Sequence, residues 1–322
     1  MMKCDLCPKQ FTLSEHQTGF CGLRTNQNGE KVLLSYGQTT GFAVDPIEKK
    51  PLNHFYPGTK ILSFGGVGCN LSCRFCQNAA TAQSCDLSLL TVSATPDDIV
   101  RLAQQHHCES VAFTYNEPII SAEYVQDVAA VCRSAGLKTV AVSNGFISDT
   151  RRSAFFDSVD AANIDLKSFS ETFYRDYCGG ELEPVKETLR YLAKSHIWFE
   201  VTTLLIPTLN DSDQEIGELC DWFARYLGKE VPLHFSAFRP ANKLLTISPT
   251  PPQTLFRARE IALSSGLRYV YTGNIDDPAG QSTNCPQCHQ TVILRNRYSI
   301  DEYGIDEECC CKYCGQSIVG RF

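Results

Sequence analysis

Three cysteines, Cys69, Cys73 and Cys76, stand in C-x3-C-x2-C spacing within Cys69-Asn70-Leu71-Ser72-Cys73-Arg74-Phe75-Cys76. Three thiolates on one short loop can ligate three corners of a cubane iron–sulfur cluster, leaving the fourth iron to a ligand that the protein does not supply. An unfinished ligand set of this kind calls for a non-protein partner at the metal. A structural cluster completed by a distant residue, or a zinc site, would use the same thiols and stays open on spacing alone.

A second group lies near the C-terminus. Cys285-Pro286-Gln287-Cys288 and Cys311-Lys312-Tyr313-Cys314-Gly315 are two C-x2-C knuckles, and four thiolates from two knuckles suit a tetrahedral zinc ion or, less often, a single iron. Cys309 and Cys310 leave the choice on the second side ambiguous, with spacing favouring Cys311 and Cys314; a reduced, metal-free tail is the alternative. Residues 285–322 hold four Lys/Arg against five Asp/Glu, which is not a phosphate-binding surface. Cys4, Cys7 and Cys21 make a weaker third group, since three ligands do not close a zinc site unless His16 or a distant residue completes it. Cys85, Cys108, Cys132, Cys178 and Cys220 lack ligand spacing and read as small buried hydrophobes.

The elements that must position the triplet follow from the apolar pattern. The triplet comes after Ile61-Leu62-Ser63-Phe64 and a Gly65-Gly66-Val67-Gly68 turn, which places it at a strand end. Strands are expected at Lys60–Phe64, Ser110–Thr114, Lys138–Ser143, Ala161–Leu166, Trp198–Leu205, Leu233–Phe238 and Arg268–Tyr271. Helices are expected from Pro96, and at Glu123–Ser134, Pro184–Lys194, Ser212–Leu227 and Pro252–Ser265. This alternation predicts an α/β fold, a partial (β/α)6-type TIM barrel, in which chemistry sits at the C-terminal ends of the strands. The unusual polar motifs all fall there: Tyr115-Asn116-Glu117-Pro118, Ser143-Asn144-Gly145, Asp165-Leu166-Lys167, Pro207-Thr208-Leu209-Asn210-Asp211 and Arg239-Pro240. Each also has a plain structural reading, Asn144-Gly145 as a turn and Asp165 with Lys167 as a rim ion pair. Residues 1–50 form a turn-rich cysteine-containing appendage, 51–280 the barrel, and 281–322 a zinc-ribbon-like module.

Bulk properties exclude several classes. The 322 residues are 43% hydrophobic and 20% charged, with a net charge of -7; that balance disfavours a nonspecific hold on nucleic acid or anionic membrane. No apolar run approaches a membrane span, and no secretory signal is visible, so a cytoplasmic protein is expected. In a reducing compartment the 17 cysteines are ligands or core residues rather than disulfides.

The triplet, with Phe75 directly before Cys76, resembles the radical S-adenosylmethionine (SAM) superfamily. That resemblance implies a [4Fe-4S] cluster on Cys69, Cys73 and Cys76, with the amino and carboxylate groups of SAM on the open iron. One-electron reduction would cleave the sulfonium to a 5'-deoxyadenosyl radical that abstracts hydrogen from a substrate. Asn53-His54-Phe55-Tyr56-Pro57-Gly58, Leu62-Ser63-Phe64-Gly65, Cys76-Gln77-Asn78, Phe113-Thr114-Tyr115-Asn116-Glu117-Pro118, Thr203-Leu204-Leu205-Ile206-Pro207 and Tyr271-Thr272-Gly273-Asn274 resemble the AmmeMemoRadiSam-system radical enzymes. These are related to the activating enzymes of glycyl-radical proteins such as pyruvate formate-lyase.

By this resemblance Tyr115, Asn116 and Glu117 meet the methionine amino group, and Ser143 and Asn144 meet the cofactor carboxylate or ribose. Asp165 and Lys167 form a rim element, Lys167 pairing a carboxylate as a point charge. Arg239 stands where histidine is expected in relatives. Relatives place a further N-terminal cysteine where this chain has Phe11. The resemblance also implies a low-potential electron donor of the ferredoxin or flavodoxin class, a protein or small-molecule substrate, and AMMECR-type and Memo-type system partners. Two other readings stand beside it: a glycyl-radical activase proper, and a non-catalytic redox or assembly protein with a cluster and a zinc ribbon. The ring of strand-end motifs favours an enzyme, because a sensor has no use for one.

Overall fold

The computed structural model describes residues 1–322. The expected apolar runs pair as β2 (Lys60–Phe64), β3 (Ser110–Phe113), β4 (Lys138–Ser143), β5 (Ala161–Asp165), β6 (Trp198–Leu205), β7 (Leu233–Ala237) and β8 (Val270–Gly273). They lie in strict chain order, each parallel to the next. The preceding strand, β1 (Phe42–Pro46), pairs antiparallel with β2. β1 and β8 are the two unpaired edges, so the barrel stays open.

Each parallel connection carries a helix: α1 (Pro96–Gln105), α2 (Ala122–Ser134), α3 (Asp149–Phe156), α4 (Leu182–Leu192), α5 (Asp213–Tyr226) and α6 (Pro252–Ser264). Six βα units thus run into a seventh parallel strand, the partial-barrel architecture that the alternation predicts. Local chemistry starts and stops these helices. The Thr95 hydroxyl accepts from the Asp98 amide while Asp98 takes the Thr95 amide, a capping box ahead of Pro96. Ser212 caps α5 through the Glu215 amide. Gly136 and Gly266 follow α2 and α6 at φ 77° and 89°, where a side chain would be strained.

The outer face of the sheet and the helices share the largest apolar core. A smaller cluster plugs the floor of the barrel: Ile47, Leu52 and Phe55 pack on Ile61, Ala112, Val140 and Ala161, the inward residues of β2 to β5. Burying each of the three plug side chains contributes about 2 kcal/mol. Glu200 of β6, fully buried, fixes the plug backbone by accepting from the Asn53 and His54 amides at 3.0 and 2.7 Å.

Both ends dock on this frame. In the N-terminal segment, strand Arg24–Gln27 pairs with Glu30–Leu33, and buried Arg24 donates to the Ile120 carbonyl at 3.0 Å and to Glu123 at 2.8 Å. At the C-terminus β9 (Thr283–Asn284), β10 (Thr291–Asn296) and β11 (Ser299–Tyr303) form an antiparallel sheet. Val292, Ile293, Ile305 and Ile318 of this end pack on Tyr269 and Tyr271 of the barrel. The last residues return to the plug, with the Arg321 amide donating to the His54 carbonyl and the Tyr56 amide to the Arg321 carbonyl. No helix is long and apolar enough to cross a membrane.

Candidate functional site

The triplet loop leaves β2 through a turn that glycine alone can make. A Cβ on Gly65 would stand 2.1 Å from the Thr114 carbonyl oxygen. Asn116 then locks the turn, accepting from the Gly66 amide at 2.9 Å and donating to the Val67 and Gly68 carbonyls at 3.0 and 3.2 Å. Its amide is thereby committed to the turn. The loop itself pairs with residues 177–178, the Ser72 and Arg74 amides each donating at 2.8 Å to the Cys178 and Tyr177 carbonyls. The Cys73 carbonyl accepts from Gln83 at 2.6 Å and Asn242 at 3.1 Å.

Cys69, Cys73 and Cys76 line one cavity of about 270 Å³ at the C-terminal rim of the barrel. With them stand Asn78, Tyr115, Asn116, Glu117, Asn144, Asp165 and Lys167, along with Thr202, Ser236 and Asn274 from the far strands. The predicted rim residues are therefore gathered, with three exceptions. The Pro207-Thr208-Leu209-Asn210-Asp211 motif stays outside the cavity, Asn210 donating to the Lys167 and Leu204 carbonyls at 2.8 and 2.9 Å. Ser143 lies behind the wall, and Arg239 lines a neighbouring cavity.

Glu117 organises the rim. It is fully buried and accepts from the Ile119 amide at 3.0 Å, the Ser143 hydroxyl at 2.7 Å and the Asn144 amide at 2.8 Å. Burial pushes its carboxyl up to about 7 in spite of these donors. Asn144 carries the arrangement on to the cysteines: its side-chain amide donates to Asn70 Oδ1 at 2.8 Å and to the Cys69 sulfur at 3.6 Å. The Leu71 amide donates to the same sulfur at 3.4 Å. Lys167 pairs with Asp165 at 2.7 Å. Burial works against its charge, yet the Asp165 carboxylate beside it holds the ammonium above the ordinary lysine range. Tyr115 sits at φ 72°, turning its carbonyl to Asn78 at 2.8 Å and its hydroxyl to Asp45 at 3.0 Å.

The thiols fit a multi-iron cluster. Burial raises Cys69 well above the usual thiol range; Cys73 is raised by the adjoining Cys178 thiol and by burial. Thiolates in so dry a wall need a metal cation to compensate them. Cys178 lies against Cys73 but does not line the cavity. The triplet sulfurs are set too wide for one tetrahedral ion, because only the tail cysteines bring their sulfurs within 4.8 Å of one another.

That tail group is Cys285, Cys288, Cys311 and Cys314. Two sulfur separations are 3.6 Å (Cys285 to Cys314) and 3.8 Å (Cys288 to Cys311). A tetrahedron of thiolates at the zinc–sulfur bond length has an edge of about 3.8 Å. The two knuckles share one hydrogen-bond pattern. Cys285 N donates to Gln290 O and Cys311 N to Gln316 O, while the His289 and Gly315 amides return to the Cys285 and Cys311 carbonyls. Both His289 (φ 60°) and Gly315 (φ 74°) take the left-handed turn. Cys309 and Cys310 lie outside the group. Cys4, Cys7 and Cys21 face a small apolar cavity with Phe11 and Phe20, and burial pushes Cys7 up to about 11.

Asn70, Gln83, Asn242, Thr202 and Ser236 escaped the sequence reading. The signal for Thr202 and Ser236 was present as polar residues at period two, with Glu200 and His234, on otherwise apolar strands.

A family model described as the Radical SAM superfamily matches residues 64–222. A protein of Methanocaldococcus jannaschii named uncharacterized protein MJ0808 is 38% identical over 318 residues, 98% of this chain and 95% of that one. Pyruvate formate-lyase 1-activating enzyme of Escherichia coli strain K12 is 23% identical over 230 residues, 67% of this chain and 93% of the enzyme. The crystal structure of Streptococcus suis SuiB bound to precursor peptide SuiA is alike in fold. Its TM-score is 0.53 at 13% identity, over 71% of this chain and 51% of SuiB.

Proposed function

The chain belongs to the radical SAM superfamily and is an enzyme of that type, and we propose that its three-cysteine cavity binds SAM at a site-differentiated [4Fe-4S] cluster to abstract hydrogen from a substrate. Cys69, Cys73 and Cys76 would hold the cluster. When bound, it supplies the single electron that splits the sulfonium of SAM into methionine and the hydrogen-abstracting 5'-deoxyadenosyl radical.

The chain's own residues prepare the cavity. Asn144 and the Leu71 amide donate to the Cys69 sulfur and so stabilise negative charge there. Lys167, held charged beside Asp165, offers a cation to the cofactor carboxylate, and Glu117 an acceptor to its amine. Ser143 acts one step back, as the donor that fixes Glu117. The cavity is enclosed by Phe75, Val142 and Leu204 as well as by polar groups, which limits water around a reactive species.

One observation carries this reading: three cysteines of a single loop, their sulfurs not drawn together as one tetrahedral ion requires, on a cavity walled by rim residues. The test is anaerobic. Reconstituted, reduced protein should convert SAM to 5'-deoxyadenosine and methionine, and Cys73→Ala should lose its iron and that conversion together. A reduced, iron-loaded protein that forms no 5'-deoxyadenosine would reject the reading.

The similarity to an activating enzyme favours, as a second reading, a glycyl-radical activase with a flavodoxin-class donor and a protein substrate. It predicts a persistent glycyl radical in a partner, visible by electron paramagnetic resonance. Within the superfamily we place the chain with the AmmeMemoRadiSam-system enzymes and their AMMECR-type and Memo-type partners. Two of the motifs that suggest this meet directly, His54 Nε2 lying 2.5 Å from the Tyr271 hydroxyl. We further assign zinc to Cys285, Cys288, Cys311 and Cys314, where a closed four-thiolate site would hold the C-terminal sheet together.

A further inference from the structure

Beside the cysteine cavity lies a second one of about 420 Å³, sharing with it the wall formed by Ser236 and Asn274. Its size falls within the range of small-molecule sites, roughly 300–1,000 Å³. Only two of its 16 lining residues are hydrophobic, so an apolar occupant has little to hold it. Four separate parts of the chain build it: Glu48 and Lys49 from the plug segment, His234 of β7 with Arg239 just beyond that strand, residues 272–276 from the end of β8, and Arg295 and Arg297 from the C-terminal sheet.

The charge of the lining is cationic in a chain that is acidic overall. Lys49, Arg239, Arg295 and Arg297 face the two carboxylates Glu48 and Asp276. Lys49 is engaged by Asp45 at 2.7 Å. The guanidinium groups of Arg239 and Arg297 meet no protein acceptor; of Arg297, only the backbone amide is used, donating to Gln281 Oε1 at 3.0 Å.

Deeper in, Arg295 is 1% exposed and is held by Thr283 at 2.8 Å and by the Asn53 carbonyl at 2.7 Å. Its Nε still has no hydrogen-bond partner, standing 3.6 Å from Glu48 Oε1. Glu48 Oε2 is likewise buried and unpartnered. Orphaned buried polar atoms of this kind are costly, and here both belong to residues that line the cavity.

From this arrangement we infer that the second cavity is the substrate chamber, taking a small polar molecule that bears a terminal oxyanion group, phosphate or carboxylate. Arg239 and Arg297 grip that group, as planar guanidinium forks do. The opposite end of the molecule reaches past Ser236 and Asn274 into the cysteine cavity. Substrate recognition thus depends on the C-terminal sheet, which contributes Arg295 and Arg297. This inference rests on the radical-enzyme reading for its chemistry, but the chamber can be tested separately.

Calorimetry on the anaerobically reconstituted holoenzyme would use inorganic phosphate, succinate and uncharged glycerol as probes. Saturable binding of phosphate or succinate but not glycerol, weakened by about tenfold or more in R239Q/R297Q, is the expected result. Whichever anion binds more tightly names the oxyanion. Both arginines are exposed and make no side-chain contact with the fold's acceptors, so the double variant should remain folded, and circular dichroism checks this. Absence of binding by either anion, or affinity unchanged in the double variant, would overturn the chamber. Formation of 5'-deoxyadenosine by the wild type in the same preparation separates the two ideas. Cleavage without anion binding rejects the chamber alone, whereas anion binding without cleavage rejects the radical reading.

Discussion

Asn144 donates its side-chain amide to the Cys69 sulfur at 3.6 Å, a contact from the end of β4 to the first cysteine of the triplet. Hydrogen bonds to cluster sulfurs favour the more negative, reduced state and so raise the reduction potential. Asn144→Ala should therefore lower the potential of the reconstituted cluster by some tens of millivolts, where about 59 mV is tenfold for one electron. A redox titration followed by electron paramagnetic resonance measures it. An unchanged potential would mean that the contact is packing only.

Two adjacent glycines give an internally controlled test of the turn that delivers the triplet. A Cβ at Gly65 would meet the Thr114 carbonyl at 2.1 Å and Asn116 Oδ1 at 2.9 Å, whereas at Gly66 the nearest atom is a Leu90 methyl at 3.5 Å. The first clash involves backbone of the neighbouring strand and cannot be relieved by a rotamer change. Gly65→Ala should cost about 1–3 kcal/mol and reduce iron loading, and Gly66→Ala should do neither. Urea unfolding and iron analysis of the pair would decide, and equal behaviour of the two variants would discount the steric account.

Much of this was legible from residue types. The triplet, the βα alternation and the rim motifs are local signals, and each landed at a strand end. Strand β1 was not legible, because Phe42-Ala43-Val44-Asp45-Pro46 ends in proline; its place at the sheet edge is where proline is tolerated. Helix α3 was missed because its apolar residues are confined to its last turn, and its buried Arg152, bonded to Thr188 at 3.1 Å, looks like a solvent residue in sequence. The polar barrel interior was hidden for a related reason. Glu200 and His234 alternate with apolar neighbours as a wet face would, and only the pairing of β6 with β7 brings them together at 2.6 Å. Arg239 follows β7 closely enough to suggest the cofactor cavity, yet it lies beyond Ser236, on the far side of the shared wall.

His54 should make the protein sensitive to acid. It is fully buried between Trp198, Tyr269, Tyr271 and Phe322, with Glu200, His234 and Arg295 as the charged or titratable groups around it. Burial lowers its pKa from 6.5 to about 4, so the unfolded chain binds this proton first as pH falls. The stabilisation is complete above the unfolded value and is lost progressively as pH drops from 6.5 toward 4, reaching about 2 kcal/mol at pH 5. Denaturant unfolding at pH 7.5 and pH 5 should show this loss in the wild type and a smaller one in His54→Gln. The same pH dependence in both proteins would place the titration elsewhere.

Metal in the tail should matter at the barrel. Cys311 and Cys314 close the sulfur group that ties the last knuckle to Cys285 and Cys288, and β10 leaves that first knuckle to carry Arg295 under Glu48. Cys311→Ser removes one of four thiolates from a closed site, which should release stoichiometric zinc and loosen β10. The expected consequence is a selective one: weaker binding of phosphate or succinate in the second cavity, with the absorption of the [4Fe-4S] cluster unchanged, since no triplet contact passes through the tail. Zinc analysis, anion calorimetry and the cluster spectrum on one preparation make the test. Retention of full zinc would refute the ligand set, and loss of zinc with undiminished anion affinity would disconnect the C-terminal sheet from the substrate chamber.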